Sequence, residues 1–268
     1  MNGMDDTLYD QRSSYLSAGD MPLGQPYLDG DGRRARIGVV VPSVNTVMEP
    51  WAQRTVPEGV SVLTSRMFMP AESSIEAIIE MDRTDGQRAI CQLSSVFPHV
   101  IAYGCTASSI VQGLDYDAHL RKEIADEYRV PATTAAHAII TGLHTVGAKA
   151  ISIVSPYTKA VDEAEHHYFE SAGFRVYGGA FLSIKDGFRL AEPSVETLLD
   201  LGRRGMDPRA DALVISCLNT RSHMVIATLE KELGKPVVTS TQATLWHALR
   251  LSGIEDRIAG YGRLLEAN

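Results

Sequence analysis

Between residues 36 and 268, β-branched apolar runs alternate with amphipathic segments, and the pattern occurs twice. A chain of this kind buries each strand under the helices on either side of it, which yields a parallel sheet covered on both faces. The repeat sets the next level of organisation. Asn45 precedes Tyr157, and Cys105 precedes Cys217, by the same interval of 112 residues. Each half has a strand running into a Pro/Ser turn (VVPSVN, IVSPYT) and a strand ending at a cysteine (IAYGC, LVISC). Each also has an X-Pro entry into a short strand (RVPATT, GKPVVTS). The expectation is an α/β fold of two pseudo-symmetric parallel-sheet lobes with the functional site between them.

In detail, strands are expected from Arg36 through IGVVVPS, and at 60–68, 99–104, 150–156, 174–183, 210–217 and 236–240. Helices are expected at 73–96, 115–128, 133–147, 158–173, 194–205, 223–234 and 241–253. Residues 1–35 are rich in Gly, Asp and Ser without periodicity, and read as an N-terminal arm, disordered or packed on a partner subunit. Residues 36–147 form the expected first lobe, completed by the C-terminal helix, and 148–268 the second.

Charge and composition narrow the function. The formal net charge is −8 and no basic run occurs, so nucleic acid and anionic membranes are poor partners. No apolar run approaches the roughly 18–20 residues of a membrane span, and the N-terminus lacks a signal-peptide pattern. Those features point to the cytoplasm. A small carboxylate substrate remains open, because backbone N–H groups bind anions without formal charge. Three cysteines without a CxxC pair argue against a disulfide framework or a zinc cluster. The eight histidines show no metal-ligand spacing, and no metal is expected.

Cys105 and Cys217 each stand at the expected carboxyl end of a strand, before small or capping residues. A thiolate at a helix N-terminus has a lowered pKa and acts as a nucleophile or base. A small buried packing residue is the alternative, and the repetition weighs against it. Cys91, on an apolar helix face, reads as core. The turn PSVNT offers backbone N–H groups and an amide to a carboxylate, or simply a helix cap; the two are compatible. Tyr157, at the matching turn, presents a hydroxyl to a ligand or covers the sheet end. Pro42, Ser43, Asn45, Thr106, Tyr157, Leu218 and Asn219 form the expected substrate-binding set around the two catalytic candidates Cys105 and Cys217.

GVVVPSVNTVME, AYGCTASS, IVSPYT and DALVISCLNTRS occur in this order from Arg36 to the C-terminus. Together they resemble the maleate cis-trans isomerase and arylmalonate decarboxylase family of the aspartate/glutamate racemase superfamily. The resemblance implies two α/β lobes and no metal or organic cofactor. It implies that Cys105 adds to a substrate double bond while Cys217 gives or takes a proton, with Asn45 and Tyr157 on the carboxylate. The decarboxylases have glycine in place of Cys105, so Cys105 favours isomerase chemistry. Two positions depart from the isomerases. An Asp-Asn pair is matched here by Asp186-Gly187, and Leu218 replaces a small or hydroxyl residue. The expected function is a cofactor-independent isomerase of a small (di)carboxylate, forming a homo-oligomer. Racemase or decarboxylase chemistry is the runner-up, and a catalytically silent carboxylate-binding protein the third reading.

Overall fold

The computed structural model describes residues 30–268. Most of the expected N-terminal arm lies outside the described residues. Among the described residues, eight strands form two parallel four-stranded sheets. The first contains β1 (Ala35–Pro42), β2 (Val60–Met67), β3 (Val100–Tyr103) and β4 (Ala132–Thr134), in the order β2-β1-β3-β4. The second contains β5 (Ala150–Ser155), β6 (Arg175–Phe181), β7 (Ala212–Ile215) and β8 (Val237–Thr239), in the order β6-β5-β7-β8. The two orders are the same, as the repeat predicts. β3, β5 and β7 are buried along their whole length and β1 along all but its last residue, which explains their unbroken apolar runs. The edge strands β2 and β6 carry exposed and half-buried residues.

The helices are α1 (Met48–Thr55), α2 (Ile75–Met81), α3 (Gln87–Ser94), α4 (Thr106–Gln112), α5 (Leu114–Tyr128) and α6 (Ala135–Thr145). They continue with α7 (Lys159–Ser171), α8 (Val195–Gly205), α9 (Ile226–Leu233), α10 (Ser240–Leu251) and α11 (Arg263–Ala267). β4 and β8 end alike. The last residue of each, Thr134 and Thr239, accepts a backbone N–H of the helix it opens, at His137 and Gln242 respectively. That cap shows why the segment 133–147 begins as strand and becomes helix only after Thr134.

The expected 73–96 helix is interrupted by a π-helical turn at Asp82–Gly86, which joins α2 to α3. α1 follows the PSVNT turn, where the sequence offered a helix cap, and it contains Pro50. Pro50 sits in the first turn, where no intrahelical N–H is required. Across the lobes, α4 packs on α7 and α6 on α10, and α10 also touches β3 and β4. No helix among the described residues is long and apolar enough to cross a membrane.

Candidate active site

In each sheet the strand order reverses between the first and third strands, which stay parallel, and ligand clefts open at the carboxyl ends beside such a switch point. The turns after β1 and β3 meet those after β5 and β7 around one cavity. With its mouth, this cavity encloses about 570 Å³. Pro42, Asn45, Cys105, Thr106, Tyr157, Cys217, Leu218 and Asn219 all line it; Ser43 does not. The Ser43 hydroxyl accepts the Met69 N–H at 3.0 Å and its own N–H donates to the Met67 carbonyl. These bonds tie the β1 turn to the end of β2. No Lys, Arg, His, Asp or Glu lines the cavity among the described residues.

Asn45 shows how one side chain serves two purposes. Its Oδ1 accepts the N–H groups of Val47 and Met48 at 3.0 and 2.9 Å, capping α1. Its Nδ2 is buried without a partner, a donor available to a ligand. Asn219 differs, because both ends of its amide are occupied. Oδ1 accepts the Thr46 N–H at 2.9 Å, and Nδ2 donates to the carbonyls of Val44 and Gly187. Asn219 therefore braces the wall between the lobes. The Thr106 hydroxyl donates to Ser240 across the lobes, while its N–H, at the first position of α4, has no intrahelical acceptor.

The two thiols are 7% and 4% exposed, at Cys105 and Cys217 respectively. Cys105 precedes α4 in an extended conformation, φ −127°. The N–H groups of Ala107 and Ser108 favour its thiolate, although neither closes a capping hydrogen bond with the sulfur. The expected lowering of its pKa does not occur. Burial, then the nearby Asp82 carboxylate and the second thiol, push it up and outweigh the backbone dipoles. Gly104 is required beside it, since a Cβ there would lie 2.6 Å from the Val40 carbonyl and 2.8 Å from Leu218.

Cys217 sits at φ +79°, in the left-handed region that non-glycine residues rarely occupy. Burial raises its pKa, while Thr220, the Asn219 N–H and the Tyr157 hydroxyl favour its thiolate. Behind it, Glu165 on α7 is fully buried, and neither carboxyl oxygen makes a hydrogen bond. The Ser216 hydroxyl eases its ionisation without closing one. Desolvation pushes Glu165 up to about 8. Cys91 is half-buried at the edge of the core and away from the cavity.

Sequence reasoning missed Ser73, Met69 and Ile184 on the cavity wall, because they belong to loops without a motif. Ser73 is 9% exposed and its hydroxyl has no partner. It is held by its N–H to Lys185 O at 2.8 Å, and Gly187 N–H returns to Ala71 O at 2.9 Å. A Cβ at Gly187 would stand 3.3 Å from the Ser73 hydroxyl, so the glycine leaves open space here.

The arylmalonate decarboxylase family model matches residues 38–265. A maleate isomerase of Pseudomonas putida is 33% identical over 244 residues, covering 86% of this chain and 96% of that protein. The arylmalonate decarboxylase of Bordetella bronchiseptica is 25% identical over 241 residues, covering 86% and 96%. Among solved structures, a maleate isomerase from Pseudomonas putida superposes with a TM-score of 0.81 at 28% identity, over 87% of this chain and 98% of that one. A Cys-to-Ser variant of Nocardia farcinica maleate cis-trans isomerase, with a covalently bound succinylcysteine intermediate, superposes with a TM-score of 0.81 at 25% identity, over 87% and 99%. With its duplicated sheets and the extent of these matches, the chain belongs to the arylmalonate decarboxylase family.

Proposed function

We propose that this protein is an enzyme that isomerises a small unsaturated dicarboxylate of the maleate type, without a cofactor, through Cys105 and Cys217. The observation that carries this reading is two buried thiols, one from each lobe, lining the same uncharged cavity. The succinylcysteine of the Nocardia farcinica relative supports covalent thiol chemistry in such a frame.

In the proposed reaction the Cys105 thiolate adds to one alkene carbon. The S–C bond forms as the π bond breaks, and the electron pair passes into the adjacent carboxylate as an enediolate. Asn45 Nδ2, the Thr106 N–H and the Tyr157 hydroxyl are the donors for that charge. Cys217 gives its proton to the second carbon, leaving a succinyl thioether that rotates about a single bond. The Cys217 thiolate then takes a proton back, the S–C bond breaks and the trans alkene leaves, so no proton is gained or lost overall. Burial keeps Tyr157 protonated, as a donor requires.

A second reading, loss of CO₂ from a substituted malonate, draws on the apolar wall of Val44, Met69, Ile184 and Leu190 and on the space at Gly187. Proton NMR in D₂O with maleate, arylmalonates and amino-acid enantiomers separates these chemistries. Conversion of maleate to fumarate supports the proposal. Full activity retained by both Cys105→Ala and Cys217→Ala would overturn it.

A further inference from the structure

Asp82 opens the π-helical turn; its side chain is buried and lines no part of the cleft. Four donors converge on its carboxylate. Tyr103 donates to Oδ1, and Ser108 to Oδ2. Gln112 Nε2 and the Tyr116 hydroxyl also donate to Oδ2, at 2.6 and 2.5 Å. A carboxylate has about two acceptor sites on each oxygen, so three donors crowd Oδ2 while Oδ1 takes one. Tyr103 is the last residue of β3, and Ser108 lies in the first turn of α4. One carboxylate therefore holds both segments between which Cys105 is suspended.

The local backbone is fitted to this arrangement. The π turn adds a residue to the helix where Asp82 sits, a distortion common at functional sites. Gly86 in the same turn leaves room for the tyrosine, since a Cβ there would lie 3.0 Å from the Tyr103 hydroxyl. The second lobe has no equivalent. At the positions matching Tyr103, Ser108 and Gln112 stand Ile215, Thr220 and Met224.

We propose that Asp82 is a positioning residue for Cys105: holding Tyr103 on one side and Ser108 on the other, its carboxylate fixes the turn that presents the sulfur to the cleft. This rests on the reading of Cys105 as the reacting thiol. The same carboxylate opposes ionisation of the sulfur, together with burial and Cys217. The Tyr103 and Tyr157 hydroxyls are the other titratable groups that face Cys105. Removing the charge of Asp82 therefore eases thiolate formation even as it loosens the turn, and Ser108→Ala, which loosens the turn but keeps the charge, separates the two effects.

The test is the pH dependence of iodoacetamide alkylation of the full chain, read separately at each cysteine by mass spectrometry. Asp82→Asn is expected to move the Cys105 profile to lower pH. Its rate near pH 8 rises about tenfold for every pH unit that the profile moves, while the Cys217 profile stays put. In the NMR assay its kcat falls and KM holds. Ser108→Ala removes one arm of the clamp but keeps the charge, so kcat falls and the Cys105 profile does not move. An unchanged Cys105 profile in folded Asp82→Asn, or an equal displacement at Cys217, overturns the proposal. The alkylation reads Asp82 even if the wild-type chain turns over none of the screened substrates, so failure of the isomerase reading is seen separately.

Discussion

The two lobes share a strand order, a turn pattern and a cysteine position, yet they treat their cysteines differently. Beside Cys105 lies Asp82, a buried carboxylate with four hydrogen-bond donors. Beside Cys217 lies Glu165, a buried carboxyl with none. Cys105 sits in ordinary extended backbone, whereas Cys217 is held at φ +79°, a conformation that costs about 1–3 kcal/mol for a non-glycine residue. Cys217 also has the Tyr157 hydroxyl and the Asn219 N–H to favour its thiolate. Duplication of a backbone frame thus carries over the position of a group but not its electrostatics, which depend on whichever donors the neighbouring helices supply.

The largest expected effect breaks the frame's symmetry at the chemistry itself. Cys105→Ala abolishes addition to the alkene. Cys217→Ala removes a proton donor and lowers turnover by about 10²–10⁴-fold. Of the two, only Cys217→Ala still accumulates a covalent adduct, which intact-protein mass spectrometry detects. Adducts in both or in neither would make the thiols equivalent.

Next in size is the pH dependence. Both thiols have raised pKa values, so at neutral pH the Cys105 thiolate is the minor form. Turnover should therefore climb from pH 7 into the alkaline range, by about tenfold per pH unit while thiol predominates. A plateau already at pH 7 would mean that bound substrate ionises Cys105 by a route absent from the empty cleft.

Much of this was legible in the sequence because it depends on local pattern. β-branched runs mark strands buried on both faces, and the repeated Pro/Ser turns and cysteines mark the two switch points where a cleft forms. Capping signals such as Ser74 and Ser194 mark helix starts. The contacts that decide reactivity are not local. Asp82 is 23 residues from Cys105, and Glu165 is 52 from Cys217. Neither stands in a motif, since a carboxyl turned inward from a helix reads like any surface acid until its partners are placed. Asn219 shows the converse. It stood in a motif and reached the cavity wall, but the turn at Val44–Thr46 had already taken its amide.

A smaller effect sharpens the contrast at Tyr157. Phenylalanine there removes the hydroxyl that favours the Cys217 thiolate and serves the enediolate as a donor, leaving the ring in place. Net hydrogen bonds to charged groups contribute about 1.5–3 kcal/mol, so kcat should fall by roughly 10- to 150-fold. Cys217 alkylation should move to higher pH and the Cys105 profile should move little. A larger displacement at Cys105 would assign the tyrosine to the other lobe.

The smallest effect concerns Glu165 and is one of stability. In the folded protein its pKa is raised to about 8 from an ordinary value of 4.5. The folded protein therefore holds a proton that the unfolded chain has released, and folding stability falls as pH rises from about 4.5 towards 8. Glu165→Gln keeps the shape and has no charge to bury. It should match the wild type in chemical denaturation near pH 5 and exceed it near pH 9, by an amount on the order of 1 kcal/mol after discounting for relaxation and water entry. Asp82→Asn should show the opposite ranking, because it takes a charged acceptor away from four donors and leaves the clamp weaker at both pH values. If Glu165→Gln were destabilising at pH 9, a donor would have to reach Glu165 in solution, and the two carboxyls would be alike after all.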